Sequence, residues 1–200
     1  MNLFDKSEEE EWEFMDKCIL RLLPLKDKKE TADTIYQILT EYTFIDLQKI
    51  GSRIYYEVEK LPYPYRRSFK PYSQDLLNQY HKIMSEHRKG IIPDGEMDDP
   101  KLWQDYWLCT KDACSKMTKD INDPTPRQDR LSGELFYRLV YGYVIFLKNG
   151  YGHPIGMPFP GGFRIYEKCG RVYCPIRDKE KDLPQALCNF CPAEQDPDYK

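Results

Sequence analysis

The side chains best suited to chemistry in this 200-residue chain are four cysteines near its C-terminal end, spaced Cys169-x4-Cys174-x13-Cys188-x2-Cys191. Four soft thiolates meeting at one point can hold a tetrahedral zinc ion or an iron–sulfur cluster, since both need that ligand number and softness. The two-residue gap between Cys188 and Cys191 lets successive thiolates grip one metal. Pro175 and Pro192 each follow a cysteine directly, a habit of iron–sulfur proteins, in which proline removes an amide donor and shapes the loop at the cluster. The expected cofactor is an iron–sulfur cluster of the 4Fe-4S type, with structural zinc as the alternative. The thirteen-residue spacer falls slightly below the usual zinc-ribbon range and does not separate the two.

The elements that must position these ligands begin at Gly150. The stretch 150–162 holds five glycines and three prolines, so it cannot be regular helix. It lacks the phosphate-loop pattern and leads into no helix. His153 is its one residue able to act near neutral pH as acid, base or ligand. Residues 163–168 alternate as a strand, Cys169-Gly170 suits a two-residue hairpin turn, and 171–176 would return. This places Cys169 at a hairpin tip, where it can point away from the other three; Cys109, Cys114 or His153 would then complete the set.

Residues 1–149 read as helices. Ser7 and Glu10 form a capping box ahead of Trp12, Met15, Ile19, Leu22 and Leu23, with Cys18 beside that stripe as a packing residue and Pro24 ending the element. A second helix runs over about 29–42 and a third over 44–61, the latter with Leu47, Ile50, Ile54, Tyr55 and Val58 inward. Three prolines make 61–73 an extended linker, after which Ser73 caps a fourth helix carrying His81 and His87. Six residues apart, these imidazoles do not share a face. Asp99 and Pro100 start a fifth helix bearing Leu102, Trp103, Tyr106, Thr110 and Ala113; its Cys109 and Cys114 are about 140° apart around the axis and cannot jointly chelate one ion. A polar loop over 120–128 leads to a central helix over 130–148. The fold class is mainly α: a bundle of about six helices (1–149) carrying a small β-hairpin and cysteine module (150–200), packed as one structural unit.

Composition narrows the function classes. With 30 basic and 33 acidic residues, the formal charge of −3 gives no global pull toward nucleic acid or anionic lipid. No apolar run is long enough to span a bilayer. The first residues form neither a signal peptide nor a lipidation motif, so a cytoplasmic protein is expected and its seven cysteines should be reduced. The strap Arg66, Arg67 and Lys70, interleaved with Tyr63, Tyr65, Phe69 and Tyr72, has the composition of a phosphate- and base-holding segment, but it equally suits aromatics packed on helices with cations in water.

The run His153-Pro-Ile-Gly-Met-Pro-Phe-Pro-Gly-Gly162, then Tyr173-Cys-Pro175 and Ala186-Leu-Cys-Asn-Phe-Cys191, together with Phe69-Lys-Pro-Tyr-Ser73, resembles an uncharacterised archaeal family of unknown function found mainly in methanogens. The likeness is close over the last fifty residues, and its pattern has counterparts of Cys174, Cys188 and Cys191. The resemblance implies an anaerobic cytoplasm, where oxygen-sensitive clusters are common, and supplies no catalytic residue. Three functions follow as expectations. The first is a metal-binding accessory or redox-responsive protein that docks on a larger enzyme. The second is an enzyme with a pocket at the His153 loop and Arg164 or Arg66 as anion clamp. The third, RNA or DNA binding through the strap, ranks last because the charge is acidic.

Overall fold

The computed structural model describes residues 3–117 and 127–199; the loop expected over 120–128 lies outside these except for its last two positions. The Ser7 hydroxyl accepts from the Glu10 amide at 3.3 Å while the Glu10 carboxylate accepts from the Ser7 amide at 2.8 Å, so the capping box opens α1 (Glu8–Leu22) as its spacing predicts. Met15, Cys18, Ile19 and Leu22 form its buried face. Asp27 caps α2 (Lys28–Leu39), and Thr43 with Asp46 forms a second capping box at α3 (Phe44–Glu59).

Three expectations change from α3 onward. The proline-rich stretch is not extended: it folds into α4 (Tyr65–Phe69) and a 3-10 turn over Lys70–Tyr72. Proline is compatible with helical geometry in a first turn, and Pro64 and Pro71 occupy such starts. Ser73 is consumed by that turn, its hydroxyl donating to the Lys70 carbonyl. It therefore does not cap α5 (Asp75–Arg88), which begins after Gln74. Tyr55, expected inward, is 61% exposed and lies under the Lys70 ammonium, because α3 has few elements to pack against beyond its Ile50 and Val58 stripe.

Asp99 accepts from the Leu102 amide at 2.8 Å and starts α6 (Pro100–Met117). Then α7 (Arg127–Gly142) runs through the middle of the bundle, packed by α1, α5 and α6. Leu131, Leu135, Phe136, Leu139 and Val140 are all buried, covering more than one face as a central helix requires. At Tyr143–Leu147 the helix widens into a π-turn, closed where the Gly150 amide donates to the Val144 carbonyl at 2.8 Å. Among the described residues, six helices of at least twelve residues form the bundle, and none is long and apolar enough to cross a membrane.

The module that follows has its own small core of Phe159, Ile165, Val172, Cys174 and Ala193. Strands β1 (Tyr166–Lys168) and β2 (Arg171–Cys174) form the expected hairpin. Its turn residues Cys169 and Gly170 have φ of 54° and 74°, the positive pair a tight two-residue turn demands. A third strand, β3 (Glu194–Gln195), pairs in parallel with β2, setting Tyr173 beside Glu194 and Cys174 beside Gln195. Among the contacts that fix the module to the bundle are two at its cysteine loop. Leu187 and Phe190 belong to the main core, and Arg138 Nη2 donates to the Gln185 carbonyl at 2.8 Å.

Candidate metal centre

The β2–β3 pairing sets the geometry of the cysteines. Cys174 ends β2, and the chain returns to it as β3 just after Cys191, with the Asp196 amide donating to the Cys174 carbonyl at 3.1 Å. The loop between them closes through a 3-10 turn over Leu187–Asn189 that carries Cys188. Cys174, Cys188 and Cys191 thereby line one cavity, whose other walls include Gly152, His153, Val172, Arg177 and Leu187. A water-sized sphere fits inside it with about 10 Å³ of free travel. Among the described residues, no three His, Cys, Asp or Glu side chains are grouped tightly enough to chelate a single ion.

Gly152 N–H donates to Cys191 Sγ at 3.4 Å, and the backbone amides of Ile176 and Arg177, in the turn begun by Pro175, pull the Cys174 thiol pKa down. Such donors favour the charged thiolate over the thiol. Burial works the other way, pushing Cys174 up and Cys188 to about 11, and the charges of the neighbouring cysteines raise both further. The Arg177 guanidinium offsets part of this at Cys174. Two buried thiolates and the half-buried one of Cys191 around one cavity would repel one another, so the set disfavours three free anions.

The other candidates lie elsewhere. Cys169 is exposed at the hairpin tip and does not line the cavity. Cys114 is buried within α6, its thiol raised to about 12 by burial, and Cys109 packs against the same main core. Cys18 is likewise a core thiol raised to about 12 by burial. His153 does reach the cavity wall; burial lowers its pKa against an opposing pull from Asp75, keeping the imidazole neutral at pH 7. The expected anion clamps are engaged away from it: Arg164 donates to the Gly156 carbonyl at 2.9 Å and Arg66 pairs with Glu59 at 2.9 Å. Lys70 shares that glutamate at 3.4 Å, and Tyr65 OH donates to the Pro158 carbonyl at 3.3 Å. The strap thus ties α3 to the Gly/Pro loop. His87 bonds Asp33 at 2.8 Å and stacks on Tyr36, apart from any metal role shared with His81.

Sequence spacing did not single out Gly152, Arg177 or Tyr137. A Cβ at Gly152 would meet Leu187 Cδ2 at 2.7 Å, so a larger residue there must displace that buried side chain. Tyr137 on α7 feels the charges of Cys188 and Cys191 and packs at a tilt against Tyr141, ring centres 4.8 Å apart. The signal for Arg177 was in reach, since it lies three residues after Cys174, where a turn aims its amide back at the sulfur.

The chain belongs to the family described as "Uncharacterized protein conserved in archaea (DUF2115)", which matches residues 27–196. It is similar to a UPF0305 protein of Methanothermobacter thermautotrophicus, 40% identical over 77 residues that cover 38% of this chain and 50% of that one. A UPF0305 protein of Methanopyrus kandleri is 41% identical over 64 residues, 32% of this chain and 45% of that one. The likeness to a UPF0305 protein of Methanocaldococcus jannaschii is longer, 24% identical over 166 residues, 82% of this chain and 93% of that one. The chain thus spans about half the length of the first two relatives and nearly all of the third. These sources are methanogens, as the resemblance of the C-terminal motifs implied. No solved structure matches.

Proposed function

We propose that this protein is a metal–thiolate protein whose cluster is iron–sulfur, held by Cys174, Cys188 and Cys191, and that it serves a larger enzyme as an accessory or redox-responsive subunit. The observation that carries the reading is the shared cavity. Three cysteines from two segments of the chain line it, and the Gly152 amide donates to one of their sulfurs. The proline that directly follows Cys174 and Cys191 favours a cluster over one ion, since that pairing shapes loops at iron–sulfur clusters. When bound it would take up and release single electrons, and the buried walls and amide donors would tune its potential.

Three cysteines leave one position of the cluster without a protein thiolate. His153 at the cavity wall supports a second reading, a Cys3His zinc site with four protein ligands, as structural zinc requires. Anaerobic purification followed by visible and paramagnetic resonance spectra tests the first against the second. A brown protein bleached by dithionite supports the cluster, whereas a colourless protein holding zinc supports the ion. Cys188→Ser should remove the metal in either case.

A further inference from the structure

We propose that the protein pairs with a second copy of itself through the outer face of α3, the two helices lying antiparallel across a two-fold axis. The inference uses no residue of the cysteine centre and stands whether or not that centre holds a metal.

The helix buries Asp46, Ile50 and Val58 on one side, and at about 100° per residue the opposite side is centred on Ser52. A helix face turned to water is ordinarily polar. This one carries Phe44 and Ile45 in its first turn and Tyr55 and Tyr56 three turns later, 73%, 47%, 61% and 62% exposed. Gln48 and the small Ser52, both exposed, lie between them. Lys60 reaches over the Tyr56 ring and Lys70 over that of Tyr55, yet the rings stay largely open. A contiguous exposed apolar patch marks an interaction site.

The spacing of the patch says what covers it. Eleven residues make three turns and about 20°, so Phe44 and Tyr55 fall on one stripe while Ile45 and Tyr56 fall on the next. A two-fold axis reverses the second helix and keeps each stripe on its own side. Phe44 of one copy then meets Tyr55 of the other, Ile45 meets Tyr56, and every contact is made twice. Gln48 and Ser52 fall opposite one another at the centre, where the short serine lets the helices approach.

The charges agree with that reversal. At the C-terminal end of the face Lys60, Arg66 and Lys70 pair with Glu57 and Glu59, so three cations meet two carboxylates, and the exposed Arg67 adds a further positive charge. Beyond the N-terminal end stands Glu41, exposed and with no ion pair among the described residues. Antiparallel pairing sets Glu41 of each copy against the cationic end of the other. Lys49, also exposed on this helix, is turned aside over the Phe4 ring at 5.1 Å. Nucleic acid fits the face less well, because Lys60, Arg66 and Lys70 already hold glutamates.

Sedimentation equilibrium of the full chain over about 5–200 μM at low salt tests this, with dithiothreitol present so that the exposed Cys169 forms no disulfide. The expected result is a reversible monomer–dimer equilibrium, weakened about tenfold or more in Phe44→Ser and in Tyr56→Ser. Should either variant melt below the parent chain, Ser52→Lys, which sets two cations near the axis, replaces it and must weaken pairing by the same factor. Glu41→Lys and Lys60→Glu should each weaken pairing about threefold, and the double variant should return to within about twofold of the parent chain. The proposal is overturned if the chain stays monomeric throughout, if the dimer is indifferent to the apolar substitutions, or if the double charge reversal pairs no better than the single ones. A monomeric chain that retains a uridine oligonucleotide, and loses it in Tyr56→Ser, would assign the face to RNA and overturn it likewise.

Discussion

The amide of Gly152 donates to Cys191 Sγ across 3.4 Å, joining the Gly/Pro loop to the cysteine knuckle from 39 residues away in sequence. The same glycine packs against Leu187, one residue before Cys188, so closely that no side chain fits between them. Gly152→Ala should push the loop off the knuckle, costing about 1–3 kcal/mol by overpacking and lowering metal content with it. Urea unfolding and metal analysis of the same sample check both effects. A stable variant with unchanged metal content would show that the loop does not support the centre.

Arg138 bonds Glu134 at 2.7 Å and the Gln185 carbonyl at 2.8 Å while almost wholly buried, and its guanidinium lies over the rings of Tyr106 and Tyr137. Arg138→Met should cost about 3 kcal/mol, because it leaves the half-buried Glu134 carboxylate and Gln185 carbonyl without their donor. Arg138→Met combined with Glu134→Leu should recover a substantial part of that loss. Chemical denaturation of the two single variants and the double one completes the cycle.

Asp46 is fully buried beneath the start of α3, where its carboxylate accepts from the Thr43 amide at 2.7 Å and from the Phe4 amide at 3.4 Å. Asp46→Ala removes a helix cap and leaves buried donors unpaired. The expected cost is about 2 kcal/mol, at the upper end for a cap. Thermal unfolding should register it, together with easier proteolysis ahead of Ser7.

The hairpin tip offers a contrast between backbone and side chain. Gly170→Val forces a β-branched residue to positive φ and should cost at least about 1–2 kcal/mol. Cys169→Ser leaves the turn intact on an exposed position and should change stability by less than about 0.5 kcal/mol. If Cys169→Ser instead removed bound metal, the fourth ligand would have to come from the tip by movement of the hairpin.

Much of the scaffold was legible because it is written in local chemistry. Ser7 with Glu10, Asp99 with Leu102 and Cys169-Gly170 each specify a helix start or a turn within four residues. The apolar period of 130–148 gave the central helix, though not its π-turn, since nothing local distinguishes a widened helix from a regular one there. The proline strap misled because X-Pro bonds bias a chain toward extension, whereas contacts from Tyr65 to Pro158 and from Arg66 and Lys70 to Glu59 hold it in turns. The two-residue strand β3 carries almost no pattern of its own, yet it brings the second half of the cysteine motif to the first. The donor from Gly152 and the approach of Tyr137 come from long-range packing and had no signature in spacing alone. The four-cysteine motif accordingly separates into three that share a cavity and one that stands at an exposed turn.

Metal and acid-labile sulfide, counted per chain after strictly anaerobic purification, decide whether Cys174, Cys188 and Cys191 hold an iron–sulfur cluster. The expected content is about four iron and four sulfide per chain, falling to near zero in Cys174→Ser, Cys188→Ser and Cys191→Ser and unchanged in Cys109→Ala and Cys169→Ser. Protein that carries no iron and sulfide, even after reconstitution with ferrous iron and sulfide, would contradict it.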